Sequence, residues 1–451
     1  MDTKYSPVGD VECQQQQQPA RRTPHKLLLA CFGIWVAAHI PWMASWSAAQ
    51  NVLEDLNLYH TSFEAQASRI LAQTPLIDGH IDLPIVLRAK HNNRIQNDDF
   101  KNLFENGTLT GHVDLLRLRQ GQSGGAFWSV YMPCPPNNED FSDEQYTHTV
   151  QTTFEQIDIM NRLQAEYRRD FSGPINSDGV DKAFKAGKLI SPLGVEGLHQ
   201  IGNKASNVRQ FYQLGARYIT LTHNCHNKYA DAAVLENPSR KAEPHWGGVS
   251  PQGREMIREM NRVGMIVDLA HVSEDTMRDV LCGNEEWQGS MAPVIFSHSS
   301  AWSICPHPRN VKDHILQLVK KRNSVVMVTG LPDFISCVDA GNENGMPDFY
   351  PANSTLRQIA RHIVYIGDLI GYDHVGIGTD FDGFFGPAKG FEDVTKYPAL
   401  VAEMLRLGVS RKDAAKVVGG NVVRVWKEVD AIARELQKAR EPVLEDYVEG
   451  M

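Results

Sequence analysis

The chain has 451 residues, 42% of them hydrophobic and 22% charged, which is enough apolar material for a large core and excludes a mainly disordered protein. Acidic residues outnumber basic ones by 54 to 45, for a formal net charge of −9, and that balance lacks the basic footprint a phosphate backbone needs, so no nucleic-acid partner is expected. The seven cysteines are too few for a small disulfide scaffold and include no C-x-x-C pair of the zinc-ribbon or redox type.

Residues 1–26 are polar, contain the glutamine run 14–18 and close on Arg21, Arg22, His25 and Lys26, the pattern of a disordered cytoplasmic tail. An apolar stretch follows, strongest over 27–38 and continuing through Trp42 and Trp46 to Ala49. Residues 27–49 are read as a signal anchor or transmembrane segment, although the strongly apolar part is shorter than the ~20 residues of a spanning helix. Cleavage after Ala49, giving a secreted protein, is the competing reading. The arginines belong on the cytosolic side, so a single-pass membrane protein is expected, with everything after Gln50 lumenal or extracellular. The sequons Asn106-Gly107-Thr108 and Asn353-Ser354-Thr355 are candidate glycosylation sites that agree with export. Residues 441–451 read as a polar tail without the hydrophobic signal of a lipid anchor, leaving 50–440 as one folded domain.

Within that domain, short β-rich runs alternate with amphipathic helical stretches. Eight strands are predicted, at 76–80, 127–132, 189–195, 217–222, 265–269, 293–297, 324–329 and 375–379. Between them Phe154, Ile157, Met160, Leu163 and Tyr167 recur at helical spacing, Ser273 caps a helix with Asp275 in its first turn, and 410–436 reads as two closing helices. Eight alternations predict an α/β fold, a (β/α)8 TIM-like barrel. A doubly wound open sheet would carry a glycine-rich phosphate loop after its first strand, and none is present.

The polar residues fall at the carboxyl ends of these strands, where a barrel carries its chemistry. His80 and Asp82 end the first, Glu196 the third, His223 the fourth, His271 the fifth, His298 the sixth and Asp380 the eighth. In extended chain His80 and Asp82 share one face while Ile81 points away; Asp78 lies on that same face and reads as structural. By itself an H-x-D triplet is more often a satisfied core histidine. Glu196 ends an apolar strand, where a buried carboxylate needs a partner and two cations would supply one. His199 and His226 read as incidental. Three imidazoles and two carboxylates suit zinc with open positions. Arg309 and Asp380 have no motif strength of their own, and Asp382 competes with Asp380.

The chain resembles the membrane (renal) dipeptidase family of zinc metallopeptidases. The resemblance runs from about 76 to 425, through Asp78-Gly79-His80-Ile81-Asp82-Leu83-Pro84, Gly194-Val195-Glu196-Gly197, Leu221-Thr222-His223-Asn224-Cys225, Asp268-Leu269-Ala270-His271-Val272-Ser273, Phe296-Ser297-His298-Ser299-Ser300-Ala301 and Gly378-Thr379-Asp380-Phe381-Asp382-Gly383. It implies an amidohydrolase-like barrel with a binuclear site of two Zn2+ ions. His80 and Asp82 hold one ion, His271 and His298 the other, and Glu196 bridges them. His223 and Arg309 contact substrate, and Asp380 is the catalytic acid. The implied reaction is hydrolysis of free L-dipeptides by a metal-bridging hydroxide. A lactonase or cyclic amidase, or a relative trimming a cysteinyl-glycine conjugate, is the alternative; a scaffold with a dead barrel is disfavoured because no ligand is missing. The resemblance further implies disulfides Cys134–Cys225 and Cys305–Cys337 and a non-covalent homodimer, and leaves Cys282 over. Ile81 departs from the family's usual asparagine.

Overall fold

The computed structural model describes residues 61–137, 139–284 and 287–447. Eight strands form its main sheet in unbroken sequence order: β1 (Leu76–Ile81), β2 (Ser123–Val130), β3 (Leu193–Val195), β4 (Ala216–Thr220), β5 (Ile266–Asp268), β6 (Ile295–Phe296), β7 (Val325–Val328) and β8 (Val375–Ile377). Every pairing is parallel. The ring closes at the carboxyl ends, where Asp380 N donates to His80 O (3.0 Å) and Asp82 N to Phe381 O (2.8 Å). All eight predicted strands are present. The second begins earlier than expected because Gly124 and Gly125, poor strand formers, lie against Pro75 and Ile190 where a Cβ would clash.

Strands of this kind are buried on both faces and therefore read as continuous apolar runs, Val325-Val326-Met327-Val328 being the clearest. One face fills the barrel with Ile77, Phe127, Tyr218, Ile266 and Met327, and Trp426 of the helix Asn421–Lys438 plugs its amino-terminal end. The Phe127 and Trp426 rings stand 5.5 Å apart. The other face packs on the helix layer, including Asp143–Glu166, whose Ile157, Met160 and Leu163 are buried as their spacing predicts. Ser273 caps the helix Glu274–Cys282 by accepting from Thr276 N (3.2 Å).

Several expectations change. No helix among the described residues is long and apolar enough to cross a membrane, so the single-pass membrane placement is withdrawn; segments 1–26 and 27–49, on which it rested, lie outside the described residues. Residues 441–447 do not hang free: Asp446 accepts from Ala205 N (2.6 Å) and Ser206 N (2.9 Å), and Leu444 N donates to Glu259 (3.2 Å). The pairs Cys134–Cys225 and Cys305–Cys337 are both bonded, tying the loop after β2 to that after β4, and the loop after β6 to that after β7. Cys282, expected to be left over, is disulfide-bonded as well, with a partner that is none of these four. Asn106 and Asn353 are exposed.

Candidate metal centre

The strand ends deliver the expected residues to one buried cluster. Its hub is Glu196 Oε1, which lies 2.9 Å from His271 Nε2, 3.5 Å from His80 Nε2, 3.6 Å from His298 Nε2 and 3.9 Å from His223 Nε2. His80 Nε2 is also 3.2 Å from Asp82 Oδ2 and 3.9 Å from Asp380 Oδ1. Three of the four sets of donors within metal-binding reach of one another among the described residues belong to this cluster: His80 with Glu196 and His298, Glu196 with His223 and His271, and His80 with Asp82 and Asp380. His223, expected only as a substrate contact, is thus also within liganding distance.

The outer nitrogens of the three proposed imidazole ligands are tied. His80 Nδ1 meets the Tyr218 hydroxyl at 2.7 Å, His271 Nδ1 meets Asn224 Oδ1 at 2.9 Å, and His298 Nδ1 meets Ser297 Oγ at 2.9 Å. Such partners orient a metal-binding ring and leave Nε2 to face the ion. Two Nε2 atoms, of His271 and His298, stand only 2.9 Å apart, and His80 Nε2 and Asp82 Oδ1 are buried without a hydrogen-bond partner. Nitrogen and carboxylate lone pairs converging in a dry space fit divalent cations.

None of the outer partners was singled out in the sequence. Tyr218 reaches His80 across β3, where a Cβ on Gly194 would run into its ring, so that glycine is required by close approach. Asp268, fully buried, accepts from Thr220 Oγ1 (2.6 Å), Ser297 Oγ (2.6 Å), Ser297 N (2.7 Å) and Ala270 N (3.1 Å), lashing together the ends of β4, β5 and β6. Asn224 and Asp268 sit inside recognisable motifs; Tyr218 gave no signal.

Ile81 turns into the outer core, as expected, while His80 and Asp82 meet. Asp78 is structural but does not share their site: it accepts from Thr379 N (2.8 Å), Thr379 Oγ1 (2.7 Å) and the Tyr397 hydroxyl (2.6 Å). The register of β1 shifts between Asp78 and Ile81, which breaks the simple alternation. Asp382 pairs with His112, accepting its backbone N–H and lying 3.3 Å from Nδ1. That engagement leaves Asp380 as the carboxylate facing His80. His226 lies 3.2 Å from Asp231 Oδ1 and His199 Nε2 meets Met132 O at 3.0 Å; neither joins the cluster. His271, Asp380 and Asp382 adopt left-handed backbone conformations, with φ of 68°, 65° and 70°, a strain that collects at functional sites.

Electrostatics divides the roles. Burial first, then neighbouring cations and imidazoles, holds His223, His271 and His298 well below the ordinary imidazole value, which favours the neutral ring that donates a lone pair or an N–H. Burial also pulls on His80, but Tyr218, Asp82 and Glu196 outweigh it and hold this group well above that value. Burial, opposed by His80 and Arg309 and reinforced by Asp82 and Glu196, holds Asp380 well above the usual carboxylate range. Arg309 is 3% exposed, and burial lowers it to about 10 against the pull of Asp380 and Glu196. Its Nε and Nη2 have no hydrogen-bond partner. A buried guanidinium with open donors is a receptor for an anion.

The family model described as membrane dipeptidase, peptidase family M19, matches residues 64–440. Dipeptidase tcpJ of Claviceps purpurea is 43% identical over 371 residues, 82% of this chain and 80% of that protein. Dipeptidase aclJ of Aspergillus oryzae is 44% identical over 371 residues, 82% and 81% of the two chains. Among solved structures, the probable dipeptidase PvdM from Pseudomonas aeruginosa superposes with a TM-score of 0.69 at 20% identity, covering 82% of this chain and 99% of that one. A metallopeptidase from Rhodobacter sphaeroides, liganded with a phosphinate mimic of a dipeptide, gives 0.65 at 23% identity, over 79% and 99%.

Proposed function

The chain belongs to the membrane dipeptidase family and is a metal-dependent dipeptidase, and from that premise we propose that its metals are two zinc ions and that it cleaves free L-dipeptides. His80 and Asp82 would hold one ion and His271 and His298 the other, with Glu196 shared by both. The observation that carries this reading is the convergence of imidazole Nε2 atoms on one oxygen of Glu196 with their outer nitrogens tied back. Zinc supplies, when bound, polarisation of the peptide carbonyl and acidification of a water.

The chain's own groups do the rest. Arg309 receives the substrate's terminal carboxylate on its two open N–H groups, which restricts the enzyme to short peptides. His223 presents Nε2 to the cluster, its Nδ1 lying 3.7 Å from the disulfide sulfur of Cys134. From there it donates to the carbonyl oxygen as negative charge grows, in surroundings where such a bond is stronger than in water. Asp380, with its raised proton affinity, carries a proton to the leaving amine.

Metal analysis of the purified protein together with hydrolysis of a panel of unblocked dipeptides tests this. Two zinc ions per chain, loss of hydrolysis with chelator and recovery with zinc are expected. A zinc-loaded protein inert on the whole panel would refute the substrate, and a metal content of one would refute the bridge.

A further inference from the structure

We propose that Glu236 binds the free ammonium group of the dipeptide's amino-terminal residue. The proposal rests on the dipeptidase reading above. Glu236 follows the short strand Val234–Leu235 in the loop after β4, the loop that also carries His223 and Asn224, and its backbone N–H donates to Asn224 O at 3.0 Å. It is therefore fixed to the chain that orients His271.

Its side chain is in an unusual position for a carboxylate. Its Oε2 is buried with no hydrogen-bond partner, and no ion pair reaches it among the described residues. A carboxylate oxygen of Glu236, a ring nitrogen of His223 and Cys134 Sγ lie within 4.8 Å of one another. That grouping has the outline of a metal site, but the sulfur is bonded to Cys225 and offers no thiolate, and one imidazole with one carboxylate is too small a donor set. A carboxylate with an oxygen buried and unpaired is short of a cation rather than an anion. What fits is a positive hydrogen-bond donor arriving with the substrate.

The geometry selects which one. In a dipeptide the ammonium sits on the Cα next to the scissile carbonyl, roughly 3 Å from its oxygen. When His223 donates to that oxygen, the ammonium is held beside the His223 ring, and a Glu236 carboxylate oxygen lies within 4.8 Å of a nitrogen of that ring. Arg309 then reads one end of the substrate and Glu236 the other, with the metals between. This makes a free amino terminus, and not only a free carboxylate, a condition of good turnover. The ring of Tyr131, 5.0 Å from that of His223, flanks the same corner.

The test uses the full-length zinc-loaded protein with two substrates, alanyl-alanine and isobutyryl-alanine, which replaces the ammonium by a methyl group of similar size. Wild type is expected to favour alanyl-alanine, and Glu236→Gln to lose about 10- to 100-fold in kcat/KM on it, mainly through KM. Isobutyryl-alanine turnover should stay within roughly twofold, a change below ~0.5 kcal/mol. Calorimetric binding of a phosphinate isostere of alanyl-alanine, with and without its amino group, should show the same loss only for the amino form. Glu236→Asp, which keeps the charge, should retain the preference and serves if the glutamine variant is unstable. Equal losses on both substrates, or an unchanged preference, would overturn the assignment while leaving the dipeptidase reading intact. A zinc-loaded wild type that cleaves neither substrate and binds neither isostere would overturn both.

Discussion

Replacing Arg309 with methionine should move stability and activity in opposite directions. The guanidinium is buried with Nε and Nη2 unpaired, and each unsatisfied N–H costs about 1–3 kcal/mol. Its contact with the Phe334 ring, 5.0 Å from the centroid, offsets about 1 kcal/mol, and the attraction of Asp380 and Glu196 offsets part of the remainder. Methionine fills a similar volume with no polar atom, so Arg309→Met should stabilise the folded protein by about 1–3 kcal/mol and raise Tm by roughly 2–4 °C. The same change removes two charge-assisted bonds to the substrate carboxylate, at about 1.5–3 kcal/mol each, so kcat/KM for a dipeptide should fall roughly 10²- to 10⁴-fold. Differential scanning calorimetry and steady-state kinetics on zinc-loaded protein read both effects. A lower Tm combined with an unchanged KM would mean that Arg309 is a structural residue whose partners lie within the protein, and the assignment of the carboxylate pocket would be wrong.

Other consequences can be checked separately. Asp380→Asn keeps the shape of the side chain but cannot cycle a proton, so kcat should drop by about 10²- to 10⁴-fold while a phosphinate dipeptide mimic still binds; unchanged kcat would reassign the acid. Tyr218→Phe removes the hydroxyl that holds His80 Nδ1 and should weaken zinc about 10- to 100-fold in a chelator competition. Unaltered affinity would show that packing alone orients the ring. Glu259 takes bonds from Arg262 (2.7 Å) and Arg209 (2.8 Å); burial raises its pKa, but these bonds outweigh it and leave the group below its ordinary 4.5. The folded state then holds this proton less tightly than the unfolded state, so the stabilisation is present above about pH 4.5 and is lost as the pH falls. Glu259→Gln should cost about 1–2 kcal/mol at pH 7, a gap that closes in urea titrations below pH 4.5; a gap independent of pH would exclude the ionic contribution.

The barrel and most of its site were legible because a parallel barrel strand must be apolar throughout, so a histidine or carboxylate at its end stands out against the run before it. His271 after Ile266–Asp268 and His298 after Ile295–Phe296 are marked in this way. Legibility stopped where a side chain's role depends on a distant neighbour. Tyr218 reads as an ordinary strand aromatic until Gly194 is seen to make room for it beneath His80. Asp78 was placed with His80 by strand parity, and an irregular register turned it away instead. Glu236 lies in a loop with no pattern around it, and only the fold brings it to His223. The membrane reading failed for another reason: it rested on the hydropathy of residues 27–49 and the basic cluster before them, and no described helix supplies a span.

The left-handed backbone at His271 and Asp380 has a consequence for descent. Glycine would occupy those conformations without strain, so these side chains, which face the metal centre, persist only while hydrolysis is selected. In a duplicated gene released from that selection, stability alone would favour glycine at these two positions. His80, whose backbone is not left-handed, would feel no such pull. Glycine at 271 or 380 with His80 still in place is therefore the mark by which a retired copy of this enzyme could be dated to the early stage of its decay.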